Sequence, residues 1–133
     1  MLQAINIRDF AVIDAVELNF STGFTVITGE TGAGKSVLIN ALSLVLGGRA
    51  RIDVIRTGSD SAQVEALFDL SDAADVRGRL EDAGLDAGDE LVIRRVVSRT
   101  GRSRVYINGA MATANTLTQI TEGLVDISGQ HAH

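Results

Sequence analysis

The chain has 133 residues, room for one domain, and 45% of them are hydrophobic, enough for a core of ordinary size. Seventeen acidic residues against twelve basic ones give a net charge of −5, so composition alone supplies no basic footprint for nucleic acid. Cysteine is absent, which excludes disulfides and thiolate metal sites, and no apolar run is long enough to span a bilayer.

Polar residues Gln3, Asn6, Arg8 and Asp9 interrupt the amino-terminal apolar ones, unlike a signal peptide, so a cytoplasmic location is expected. Ile5 and Ile7, then Val16, Leu18 and Phe20, alternate with polar neighbours and predict two opening strands. Phe24 to Thr28 form a β-branched apolar run suited to a buried strand leading into a glycine-rich loop. From Lys35 to Leu46 apolar residues cover nearly every side of a helix, which predicts that it is buried and ends at Gly47-Gly48.

Residues 49–61 read as polar and irregular. Val64, Ala66, Phe68 and Leu70 alternate as a further strand. Ser71 is expected to cap a helix carrying Ala73, Val76, Leu80 and Ala83, stopped by Gly84, with an acidic loop over 85–90. Leu91 to Ser98 and Arg102 to Asn108 predict a hairpin through Arg99-Thr100-Gly101, and Asn108-Gly109 a second tight turn. Thr113 is the expected cap of a helix bearing Leu117 and Ile120, and Leu124 to Ile127 a closing strand.

Gly29-Glu30-Thr31-Gly32-Ala33-Gly34-Lys35-Ser36 matches the phosphate-binding pattern G-x-x-x-x-G-K-S, between an apolar strand and a helix as that pattern requires. The glycines let backbone N–H groups turn inward around phosphate oxygens, and the following helix aims its positive end at the same anion. Lys35 is expected to reach the β and γ phosphates, and Ser36 to place its hydroxyl on Mg²⁺. All basic residues but Lys35 are arginines. A compact ammonium enters a narrow loop where a planar guanidinium clashes, so the lone lysine is a site-specific choice.

The loop fixes nucleotide binding better than it fixes the reaction. Asp126-Ile127-Ser128-Gly129-Gln130 reads as the D-x-x-G-Q second switch of a small GTPase, with Gln130 orienting the attacking water. Its wide separation from the loop, the two strands ahead of the loop and the lack of an N-K-x-D motif weaken that alternative. The same segment superficially matches the ABC signature but lacks its second glycine, and only Leu124-Val125 precede Asp126, too short for a Walker B strand. A nucleotide-gated assembly module is a further alternative.

Ile7-Arg8-Asp9-Phe10-Ala11-Val12-Ile13, the segment from Thr25 to Ser36, Leu46-Gly47-Gly48-Arg49-Ala50, Tyr106-Ile107-Asn108-Gly109 and Gly129-Gln130-His131 together resemble the amino-terminal head segment of the RecN family, in the SMC-like branch of ABC ATPases. Glu30-Thr31 points to that family, since other SMC-like relatives commonly carry Asn-Gly there. The resemblance implies an α/β P-loop NTPase fold of the ABC/SMC head type: an amino-terminal lobe over 1–133, from P-loop to Q-loop, with a mixed sheet, a buried helix after the P-loop and an antiparallel β subdomain. It implies ATP and Mg²⁺ as cofactors and a role in DNA double-strand break repair and recombination. Its implied partners are the carboxyl-terminal lobe of the same head, a second head on homodimerisation, and DNA, with no membrane and with nucleoid association when bound to DNA.

On that resemblance Gln130 matches the Q-loop glutamine near Mg²⁺ and the γ-phosphate, while the signature motif, Walker B acids and switch histidine lie outside these residues. The lobe is then incomplete without its carboxyl-terminal partner, and negligible ATP turnover is expected of it alone.

Arg94, Arg95, Arg99, Arg102 and Arg104 fall in the predicted hairpin. They read either as contacts for DNA phosphates or, the favoured alternative, as a solvated hairpin paired with Asp86, Asp89 and Glu90. Arg49 and Arg51 stand where they reach a nucleotide phosphate from the side or simply face solvent. His131 and His133 are spaced to share a metal, yet no acid or thiol partner stands nearby.

Overall fold

A computed structural model describes residues 2–20, 32–122 and 124, with the backbone alone for 32–35. The two opening strands are β1, Leu2–Phe10, and β2, Ile13–Asn19. They are antiparallel and joined through Ala11-Val12, with Phe10 facing Ile13 across the turn. Asp9 and Ala11 both adopt positive φ, 52° and 56°. The left-handed residue at position 9 breaks the alternation of β1, so that Ile7 and Phe10, three apart, both reach the core.

The remaining strands are β3, Ser61–Asp69, β4, Glu90–Ser98, β5, Ser103–Ile107, and β6, Ala110–Ala112. They join β1 and β2 in one sheet of order β2-β1-β3-β4-β5-β6, with every pair antiparallel. The expected Phe24–Thr28 strand, which would make the sheet mixed, lies outside the described residues. β3 and β4 alternate strictly: Ala62, Val64, Ala66 and Phe68 of β3, and Leu91, Ile93, Arg95 and Val97 of β4, point to one buried face. The opposite face carries Glu65 and Arg94, which are register partners. Between β5 and β6, Asn108 and Gly109 supply positive φ of 50° and 86°, the conformation a two-residue hairpin turn demands.

Among the described residues there are three α-helices: α1, Gly32–Val45, α2, Ala74–Asp82, and α3, Ala114–Thr121. α1 packs over β3 and β4, and α3 over β5 and beside α2. α1 begins earlier than the apolar run suggests and is not buried all round. Val37, Leu38, Ala41, Leu42, Leu44 and Val45 are buried, whereas Ser36, Ile39, Asn40 and Ser43 form an exposed stripe, with Ile39 at 37%. A helix lying on one side of a sheet has one covered face, whatever its composition. Gly47 ends it at φ 101°, as expected.

Residues 49–61 are less irregular than the sequence suggests. Ile52–Val54 form a 3-10 turn, and Ile55 bridges Phe10 within the core. The Val54 carbonyl accepts from Ala11 N (2.6 Å) and Arg56 N donates to the Asp9 carbonyl (2.9 Å), so this segment braces the β1–β2 turn.

Ser71 does not cap α2. The cap position is Ala73, without a side-chain bond. Ser71 instead donates its N–H and hydroxyl to the Asp69 carboxylate, at 3.0 and 3.1 Å. Those bonds, the backbone one first, hold the Asp69 carboxyl below the usual aspartate range. Gly84 does stop α2, with φ 77°. Glu90, assigned to the acidic loop, opens β4. Thr113 caps α3 as expected, accepting from Thr116 N at 3.0 Å. Leu124 sits in a turn, and the rest of the predicted closing strand lies outside the described residues.

Candidate nucleotide site

The phosphate motif meets the described structure at the start of α1. Gly29, Glu30 and Thr31 lie outside the described residues, and the backbone of Gly32, Ala33, Gly34 and Lys35 forms the first turn of the helix. Ser36 follows and is exposed. The first turn of α1 carries no acidic residue, so nothing within it opposes an anion drawn by the helix dipole and free N–H groups. Gln130 lies outside the described residues, as do Asp126, His131 and His133. Arg49 and Arg51 are exposed, and Arg51 pairs with Asp53 at 3.2 Å.

The far end of α1 is held by groups that no functional motif marks. Arg95, 3% exposed, donates through one guanidinium nitrogen to the Leu44 carbonyl (2.7 Å) and the Gly48 carbonyl (2.8 Å), and through Nε to Ser103 Oγ (3.2 Å). Burial pushes its guanidinium below the ordinary arginine value. Its recorded partners are neutral, and the negative end of the α1 dipole supplies the compensating charge. Thr121 Oγ1 donates to the Leu46 carbonyl at 3.0 Å. Gly47 faces α3 so closely that a Cβ there would stand 2.5 Å from Thr118 Oγ1. The available signal for Arg95 was its place in the alternation of β4, between the core residues Ile93 and Val97, on the face opposite Arg94.

The hairpin arginines take several different places. Arg95 is a buried anchor. Arg94 lies over the Tyr106 ring, 4.3 Å from its centroid, on the outer sheet face. Arg99 donates to the Ser59 and Arg56 carbonyls at 2.9 and 3.2 Å. Arg102 and Arg104 are exposed, and no ion pair with Asp86, Asp89 or Glu90 is formed among the described residues. Those acids, with Glu65, Arg94 and Tyr106, line a cavity of about 740 Å³ on the outer face. It is acidic and lies across the sheet from α1, so it is no part of a phosphate site.

Among the described residues no helix is long and apolar enough to cross a membrane, and no cluster of three or more His, Cys, Asp or Glu is placed to hold a metal.

An antiparallel sheet covered on one face by a helix that begins in a G-x-x-x-x-G-K-S loop defines a P-loop NTPase domain of the ABC/SMC head type. The chain belongs to the AAA domain family, which it matches over residues 2–130. Within that class it is similar to the DNA repair protein RecN. It is 42% identical to RecN of Vibrio cholerae over 133 residues, covering 100% of this chain and 24% of that protein. It is also 42% identical to RecN of Bacillus subtilis over 132 residues, covering 98% and 23%. The chain thus spans about a quarter of the length of these relatives.

Among solved structures it is similar to the Smc head domain of Pyrococcus furiosus, with a TM-score of 0.76 and 30% identity over 96% of this chain and 34% of that one. The recombination mediator RecF shares the fold, with a TM-score of 0.67 at 19% identity over 88% of this chain and 29% of that one.

Proposed function

We propose that this chain is the ATP-binding half of an SMC-like ATPase head that acts in DNA double-strand break repair and recombination. The observation that carries the reading is the complete phosphate motif running into the amino-terminal turn of α1, in a chain similar along its length to RecN proteins. In this reading Gly29 to Gly34 and the first N–H groups of α1 cradle the phosphates. Lys35 neutralises charge at the β and γ positions, and Ser36 with Gln130 completes the Mg²⁺ shell. Bound Mg-ATP supplies the phosphoanhydride whose cleavage gives ADP and phosphate.

Hydrolysis needs a positioned water and opposing charge, which this reading assigns to the carboxyl-terminal lobe and a second head. An SMC ATPase with a TM-score of 0.70 and 30% identity to this chain is described as dimerising under the drive of ATP and being activated by DNA. By that analogy nucleotide binding brings two heads together, hydrolysis parts them, and DNA is engaged by the assembled protein. The six-stranded antiparallel sheet argues against the small-GTPase alternative, whose doubly wound sheets are largely parallel.

Calorimetry with Mg-ATP and Mg-GTP tests the proposal. Mg-ATP is expected to bind in preference to Mg-GTP, and Lys35→Ala to abolish binding while leaving the circular dichroism spectrum intact. Unchanged affinity after Lys35→Ala refutes the assignment. Turnover by the chain alone is expected to be negligible, and phosphate release near that of an intact head would overturn the split-site reading.

A further inference from the structure

We propose that Arg95 is a positioning residue for the nucleotide loop, holding α1 at one axial setting so that its amino-terminal turn meets the phosphates in register. The proposal rests on the ATP-binding reading above and adds a residue far from the phosphate motif in sequence and in space.

The buried face of α1 is aliphatic: Val37, Leu38, Ala41, Leu42, Leu44 and Val45. Apolar contact is non-directional, so it fixes which face turns inward more firmly than how far the helix sits along its own axis. Directional bonds settle the axial position. On the sheet side they come from Arg95, whose guanidinium joins the Leu44 and Gly48 carbonyls at 2.7 and 2.8 Å while its Nε reaches Ser103 Oγ on β5.

A planar cation with donors in fixed directions ties the last turn of the helix and the residues beyond it to two strands at once. The helix is stiff along its length, and fourteen residues at a rise of about 1.5 Å each carry that setting some 20 Å to the other end. There Gly32 to Ser36 open the helix. In catalysis a misplacement of about 1 Å caused far from the chemistry can cost on the order of a hundredfold in rate, and by the same geometric logic a distant anchor is felt at the phosphates.

α3 supplies a second hold through the Thr121 hydroxyl, 3.0 Å from the Leu46 carbonyl and 2.8 Å from the Leu117 carbonyl of its own helix. That hold is neutral, and its one hydrogen is shared with α3 itself. Loss of Arg95 therefore leaves α1 attached yet free to shift, with the Gly48 carbonyl deprived of the guanidinium and the Leu44 carbonyl left to the longer bond from Gly47 N, 3.3 Å.

The test compares Arg95→Gln, Arg95→Lys and Val76→Ala by Mg-ATP calorimetry on the chain, at a temperature well below each Tm. Val76 is buried on α2, away from α1, and serves as a control for lost stability. Arg95→Gln is expected to weaken Mg-ATP at least about tenfold while remaining folded. Arg95→Lys, which keeps the cation but not the fork, should recover part of that loss, and Val76→Ala should leave affinity within about twofold of the parent.

Parent-level affinity in Arg95→Gln, or equal losses in Arg95→Gln and Val76→Ala, overturns the proposal. Should Arg95→Gln fail to fold, Arg95→Lys decides alone, and unchanged affinity in it counts against the anchor. A parent chain that does not bind Mg-ATP, or binds it equally after Lys35→Ala, sinks the nucleotide reading itself, a result distinct from either.

Discussion

Arg77, Arg79, Arg95 and Arg99 all donate to main-chain carbonyls near the ends of helices, strands and loops. Arg77 reaches Leu70, Arg79 reaches Ile120 and Glu122, Arg95 reaches Leu44 and Gly48, and Arg99 reaches Ser59 and Arg56. A guanidinium carries donors on three nitrogens in fixed directions, so Arg95 uses Nη1 for its two carbonyls and Nε for Ser103, and Arg99 uses Nε and Nη2, where an ammonium has one nitrogen to offer. Glycine positions divide in the same local way. Gly47 has φ 101° and meets Thr118, whereas Gly58 has φ 92° and open space where a Cβ would point. Gly47→Ala is therefore expected to cost about 2–4 kcal/mol, backbone strain plus the displacement of α3, and Gly58→Ala only about 1 kcal/mol. Urea unfolding of the two variants checks the difference, and equal losses would show that the α1–α3 approach is not tight.

At the scale of elements, strands were legible and helix surroundings were not. The alternation through Val64 and Phe68, and through Leu91 and Ile93, announces strands with one wet face, because side chains alternate across a sheet whatever it packs against. The composition of α1 announces a helix but not which side is covered, since Ile39 is as apolar as Leu38 and lies exposed. Capping divides similarly. Thr113 sits immediately before its helix and accepts from Thr116 N, while Ser71 is drawn to Asp69 two residues back, a local competition that propensity alone does not resolve. Thr113→Ala is expected to destabilise the chain by about 1 kcal/mol, measured as a shift in the urea midpoint, whereas Ser71→Ala should leave the helix content of α2 unchanged. A loss of α2 signal in Ser71→Ala would restore the capping role denied to it here.

For the whole molecule, the helix that opens in the phosphate motif is clamped at its far end between two bodies, the β4–β5 hairpin through Arg95 and α3 through Thr121 and Thr118. A ligand that binds only the folded state adds stability by mass action, about 2.7 kcal/mol at a hundred times its Kd. Mg-ATP at that excess should raise the Tm of the chain, and Lys35→Ala should keep the parent Tm without nucleotide while losing the rise. A rise that persists in Lys35→Ala would mean the nucleotide binds elsewhere.

The sequence by itself determined the phosphate-binding pattern over 29–36 and the sheet's alternation. A phosphate loop is a contiguous motif whose glycines, lysine and serine act through their own backbone and side chains, so it is complete in one dimension. Only the tertiary structure decided what holds that loop's helix in place. Arg95 lies far along the chain from Leu44: the alternation of β4 turns it inward, but that the carbonyls of α1 stand there to meet it is a fact of three-dimensional packing.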